Sequence, residues 1–257
     1  MRRFSLAITG IIFFVISIIL LGLILYSPLP VLARSLTNPE IQFAILLSLV
    51  TSVISTIICI ALAIPVAYAL ARYEFFGKRV ATLILTLPLT LPPLVAGIAL
   101  LLFFGTTPWG KVLEDAGFGV IFTPLGIVVA EVFVNIPYMI RILRSAFSSI
   151  NPRYEYVAKT LGCTDTGAFF QVTLPMARPG LLAGAVITWS KAMGEFGAVL
   201  MVAGATTMRT ETLPIAIYLN ISAGNLDLAV AAATILILIS LITLCVVEYF
   251  DRSVHVF

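Results

Sequence analysis

The sequence predicts an all-α polytopic membrane protein with six transmembrane helices. Three observations carry this prediction. The 257-residue chain is 61% hydrophobic and 11% charged, where a soluble domain carries roughly 25% charged residues, and its mean hydropathy is +1.14. Its apolar residues fall into six runs, roughly 6–26, 41–70, 80–104, 120–140, 180–204 and 227–248. Each is near the ~20 residues that a helix needs to cross the hydrocarbon layer. No alternating strand pattern with regular turns appears, so helices rather than a closed barrel must satisfy the backbone in lipid. One transmembrane domain over 1–257 in the cell membrane follows.

The first run follows Arg2 and Arg3. It exceeds the ~7–15 apolar residues of a secretory signal, so it reads as a retained first helix. The second run carries Ser48, Ser52 and Ser55 on one face, a pattern of close helix packing. The third contains Leu87-Pro88-Leu89-Thr90-Leu91-Pro92-Pro93. Proline removes hydrogen bonds and bends helices, and broken helices in transporters line cavities. Pro88, Thr90 and Pro92 are therefore pathway or gate candidates. The fourth run holds Glu131, with Asn135 one turn on. An ionisable group inside a span is costly and points to a function or to a polar packing contact. The fifth places Gly184, Thr188, Lys191 and Glu195 at i, i+4, i+7 and i+11, one narrow stripe of a single helix. Lys191 and Glu195 are spaced to pair. A stripe facing a pathway and a packing seam both fit this pattern.

Orientation follows from Lys and Arg in short loops. With the N-terminus inside, the inner side holds Arg2, Arg3, Arg72, Lys78, Arg79, Arg141, Arg144, Arg153, Lys159, Arg178 and Arg252. The outer side holds Arg34, Lys111 and Arg209. Eleven against three predicts N-in, C-in and makes the loop at about 150–178 cytoplasmic. This loop is the polar interruption of the chain. Asn151-Pro152 marks a turn, residues 153–161 suit a helix, and Gly162 stops it. Thr164 or Asp165 caps a second short helix over 166–172. Pro175 and Pro179 then break the chain before the fifth span. A helix–Gly–helix elbow lying flat presents either a knob for a partner or an interfacial anchor.

Other classes are excluded on composition. A net charge of +3, scattered along the chain, gives no nucleic-acid footprint. Cys59, Cys163 and Cys245 are too far apart for a disulfide framework or a zinc site. No His, Cys and carboxylate cluster suits another metal. The single histidine, His255, lies three residues from the end, so no intramembrane Ser–His dyad exists, and the aspartates lie in loops or at span ends. Gly105 to Val112 spells GxxxxGK but ends on Val where Mg²⁺ needs Ser or Thr. The chain reads as non-catalytic, with no nucleotide site of its own.

Ala158-xxx-Gly162, followed by Val172-Thr173-Leu174-Pro175, resembles the "EAA" loop of ATP-binding-cassette import permeases. Counting back from Gly162, the family's Glu falls at Tyr156 and its two Ala at Val157 and Ala158. The acidic residue here stands one position earlier, at Glu155. Trp189 to Ala198 (WSKAMGEFGA) resembles the "LGEFGA" segment of molybdate, tungstate and sulfate permeases, and Thr210 to Tyr218 resembles the external segment that follows it there. The Pro-rich third span is also similar, so the resemblance covers about 41–250 and is most like the molybdate/tungstate branch. It implies an EAA-type coupling helix, with Glu155, Ala158, Gly162, Leu174 and Pro175 docking an ATPase. It further implies a permease homodimer, two ATPase subunits on the cytoplasmic face and an external oxyanion-binding protein. No cofactor is bound by this chain; ATP and Mg belong to the partner. The alternatives are a sulfate/thiosulfate permease, and a secondary ion-coupled carrier in which Glu131 and a Lys191–Glu195 pair relay protons.

Overall fold

The computed structural model describes residues 1–26 and 29–254; His255 therefore lies outside the described residues. Among the described residues the chain is helical, without strands. Four helices among these residues are long and apolar enough to cross a membrane, and two bent pairs, Lys78–Leu89 with Pro93–Thr106 and Asp165–Met176 with Arg178–Met193, bring the number to six if each pair is one span. Helix α1 (Arg2–Tyr26) is the first of the four and packs against α14. Most of its described side chains are exposed and apolar, a surface suited to lipid and unsuited to water. A short α2 (Leu29–Leu36) leads to α3 (Pro39–Arg72), which begins where the Asn38 side chain accepts from the Glu40 N–H at 2.8 Å, a standard N-cap.

The third run is broken. Helix α4 (Lys78–Thr86) ends in a 3₁₀ turn (Leu87–Leu89), and α5 (Pro93–Thr106) departs at 109°. Pro88, Pro92 and Pro93 each lack a backbone donor at the bend, so the helix cannot run through. Helix α6 (Pro108–Asp115) then returns the chain to α7 (Pro124–Ser149). Its Thr107 N-cap accepts from Gly110 N–H at 3.3 Å. The GxxxxGK stretch is thus a helix-to-helix corner, with no strand before it. Helices α3 and α7 form the main seam. Cys59, Ala63, Ala67 and Leu70 meet Met139, Ile140, Leu143 and Phe147, all buried. Lipid offers no hydrophobic gain for burying one helix on another, so small residues that let backbones close on each other supply the packing.

After α7 comes the polar elbow: α8 (Arg153–Thr160), then α9 (Asp165–Ala168), which passes through a π-helical segment (Phe169–Thr173) into α10 (Leu174–Met176). Helix α11 (Arg178–Met193) leaves at 69° to α9–α10. The fifth run is not one helix. It stops at Met193 and restarts as α12 (Gly197–Ala203) after Gly194-Glu195-Phe196. The segment expected as an external loop contains a further helix, α13 (Leu213–Ser222), with Leu213, Ile215 and Ala216 fully buried. Helix α14 (Leu226–Val254) closes the described chain.

Candidate functional site

The elbow is built from local signals that were legible in the sequence. Asn151 Oδ1 accepts from Arg153 N–H at 3.0 Å and opens α8. Its end is a Schellman turn: Cys163 N–H donates to Ala158 O and Gly162 N–H to Lys159 O, both at 3.0 Å. Gly162 sits at φ +96°, the left-handed conformation that this turn requires and glycine adopts without strain. Thr164 Oγ1 accepts from Gly167 N–H at 3.1 Å and caps α9. Lys159 pairs with Asp165 across the turn, and that hydrogen bond raises the Lys159 pKa.

A buried carboxylate fastens the elbow to α3. Glu155 Oε1 receives Arg72 Nε at 2.8 Å and Thr173 Oγ1 at 2.8 Å. Glu155 Oε2 receives Tyr68 Oη at 2.9 Å. Arg72 Nη2 also donates to the Ile150 carbonyl at 3.0 Å, tying in the end of α7. Both charged side chains are under 10% exposed. Tyr68 lies edge-on to Phe169 and Phe147, with centroids 4.7 and 5.7 Å away, so the ion pair is roofed by aromatic rings. Burial pushes the Glu155 pKa up, but the bonds from Thr173, Arg72 and Tyr68 and the Arg72 charge outweigh it and hold it below the ordinary carboxylate value.

This geometry sorts the five expected docking residues. Glu155 and Ala158 are buried against the bundle, Leu174 and Pro175 are half-buried, and Gly162 is exposed at the tip. The outward face of α8 is instead Tyr154, Val157 and Leu161, flanked by Tyr156; Leu161 is 81% exposed. Their i, i+3, i+7 spacing is an apolar stripe that was present in the sequence and passed over. Tyr68, Arg72 and Thr173 carried no local signal, because Arg72 and Glu155 are 83 residues apart.

The gate candidates separate. The bend at 87–92 abuts the break at 194–196: a Cβ on Gly197 would stand 3.0 Å from Pro93 Cβ and 3.1 Å from Leu94 N. Pro88 is half-buried, and Thr90 and Pro92 are exposed. The stripe on the fifth run is corrected. Thr188 is buried with its hydroxyl 3.7 Å from Met139 Sδ, and a Cβ on Gly184 would meet the same sulfur at 2.8 Å. Lys191 lies over the Tyr138 ring, 4.1 Å from its centroid. All three face α7. Glu195 is beyond the end of α11, and its Oε1 accepts from Ala198 N–H at 3.1 Å, capping α12. Lys191 and Glu195 make no ion pair within 4.0 Å, because Gly194 ends the helix between them. Glu131 is 1% exposed and receives Thr51 Oγ1 at 3.1 Å.

Comparison with known proteins places this arrangement. Residues 60–256 match the family described as binding-protein-dependent transport system inner membrane component. A molybdenum transport system permease protein, ModB, of Mycobacterium tuberculosis is 38% identical over 91% of this chain and 88% of its own length. A probable molybdenum ABC transporter permease of Haloferax volcanii is 34% identical over 84% and 78%. The sulfate permease CysW of Synechocystis is 33% identical over 85% and 80%. Among solved structures, a bacterial ABC transporter involved in alginate import superposes with TM-score 0.79 at 17% identity, covering 99% of this chain and 96% of that one. The methionine transporter MetNI gives 0.64 at 16% identity, covering 85% and 99%; these likenesses establish the fold. The chain belongs to the inner-membrane components of binding-protein-dependent transport systems: it is a multi-pass, non-catalytic permease of the oxyanion type of ABC importer, whose ATP hydrolysis resides in a separate subunit.

Proposed function

We propose that this chain forms the translocation pathway of an ATP-driven importer for molybdate or tungstate. The observation that carries the reading is the 38% identity to ModB across 91% of the chain, which includes the WSKAMGEFGA segment. The chain works as a homodimer, because a symmetric ATPase pair needs two docking elbows. Both termini and the elbow lie in the cytoplasm, as the distribution of basic residues requires. An external oxyanion-binding protein delivers the ion, and ATP with Mg is bound by the two partner ATPases. Few fixed cations line the spans, so passage is transient and selection rests on the binding protein. The sulfate reading is supported by the 33% identity to CysW.

Proteoliposomes holding the permease, its ATPase and its binding protein decide between them. Labelled molybdate uptake should require ATP on the elbow side and be competed by tungstate far better than by sulfate. Sulfate competing equally would favour the sulfate reading, and uptake driven by ATP on the opposite face would overturn the orientation.

The ATPase contact is the outward face of α8. Gly162 leaves its tip uncluttered, with nothing within 4 Å of where a Cβ would lie, and Leu174 and Pro175 are half-buried in the returning segment. Glu155 and Ala158 act by holding the helix in place. Leu161→Asp should therefore abolish co-purification of the ATPase while the permease inserts and melts as wild type. An intact complex would refute the surface assignment.

A further inference from the structure

Glu131 is unexplained by either the elbow or the gate. It lies in α7, 1% exposed, and faces α3. Oε1 has its partner in Thr51, whereas Oε2 has none. One turn on, Asn135 is fully buried; its Nδ2 donates to the Glu131 carbonyl at 2.8 Å, and its Oδ1 has no partner. Two buried acceptor atoms, on residues one helical turn apart, therefore have no hydrogen-bond partner. Of the neighbouring hydroxyls, Ser52 Oγ donates to Leu49 O and Ser55 Oγ, which also lies near the Glu131 carboxyl, donates to Ser52 O, both at 3.1 Å.

The charge environment is equally one-sided. Two ionisable side chains that act on Glu131 are Cys59 from α3 and Glu195 from the α11–α12 break. Neither supplies a positive charge, and the one lysine of α11 is turned to Tyr138. An ionised carboxylate here would be a buried charge with no counter-ion, a strongly disfavoured state. A neutral carboxylic acid keeps an acceptor for Thr51 and gains an O–H donor. That donor removes one of the two orphans and serves the other.

We propose that Glu131 is a proton-holding site: it sits between α3 and α7 as the neutral acid, with its proton on Oε2 and directed to the Asn135 amide oxygen. The proton is structural: it serves the contact between α3 and α7 and is not passed on. The neutral form also keeps a fixed negative charge out of a bundle that conducts an anion. The first half of this inference is independent of which ion is carried.

Infrared spectroscopy of the purified permease in lipid tests it. At neutral pH, the wild-type minus Glu131→Gln difference spectrum should contain the carbonyl band of an un-ionised carboxylic acid. A Glu195→Gln spectrum, taken as control, should retain that band. Glutamine is the closest mimic of the neutral acid, so Glu131→Gln should keep wild-type yield, melting temperature and ATP-driven uptake. A carboxylate band in place of the acid band would overturn the proposal, and so would failure of Glu131→Gln to fold. A melting temperature raised by Na⁺ over choline in the wild type and not in Glu131→Gln would place a metal cation there and overturn it as well.

Discussion

Glu155→Ala should detach the elbow from the bundle and cost about 3–5 kcal/mol, the expected penalty for removing one partner of a buried ion pair. The penalty is high because Arg72, only 8% exposed along its side chain, would keep its charge and lose its counter-ion. Tyr68 and Thr173 would lose their acceptor in the same step. Thermal unfolding in detergent reads the stability, and limited proteolysis between Arg153 and Met176 reads the detachment. Replacing both partners, Glu155→Ala with Arg72→Met, should recover much of the loss, since no uncompensated charge then remains buried. If the two single losses simply add, the residues are not energetically coupled. The pH dependence has a defined sign. The folded-state pKa of Glu155 lies below its unfolded value, so its contribution is complete above the ordinary carboxylate pKa of ~4.3. It is lost as pH falls below that value and through the folded pKa. Elbow release in the wild type should thus appear only in acid, and in Glu155→Ala at every pH.

The difference between this clasp and the sequence expectation shows what linear patterns resolve. Four of the six apolar runs matched helices long enough to cross a membrane, because burial in lipid demands about twenty apolar residues regardless of partners; the third run bends at 87–92 and the fifth breaks at 194–196. The elbow was legible for the same kind of reason: Asn151, Gly162 and Thr164 each act on backbone within four residues. Two kinds of feature escaped. One was the break at Gly194-Glu195-Phe196, where the apolar run continues to residue 204 and hides a helix end; projecting an unbroken helix across it produced the false Lys191–Glu195 pair. The other was the inward turn of Glu155, which depends on Tyr68 and Arg72 from the distant second run. Resemblance to the EAA loop singled out a segment, but which face that segment presents had to come from packing. The short helix α13 was missed because its ten residues fall well below a span's length.

Gly97→Leu should lock or disorder the junction of the two broken helices, and with it transport. Gly97 is where α5 crosses α12: a Cβ there would stand 2.7 Å from Met201 Cβ, 2.9 Å from Ala198 Cα and 3.0 Å from Ala198 O. Two of these three atoms are backbone, so the obstruction is not relieved by a side-chain rotation. On the opposite side α12 has nowhere to retreat, because Ala198, Val199, Val202 and Ala203 are all fully buried, packed in a cluster with Ile127 and Ala130 of α7. Overpacking of this kind costs about 1–3 kcal/mol, and a leucine side chain adds bulk beyond the Cβ. Gly97→Ala should show the same defect in smaller degree. Gly22→Ala on α1, where nothing lies within 4 Å of the added carbon, should be harmless and is the matched control. The decisive measurement pairs ATP-driven uptake with proteolysis of the elbow. Loss of uptake with a wild-type elbow pattern and retained ATPase binding places the defect at the junction of the bends at 87–92 and 194–196. Wild-type uptake and melting in Gly97→Leu would mean that α5 and α12 are not in the contact described, and would remove that junction from the pathway.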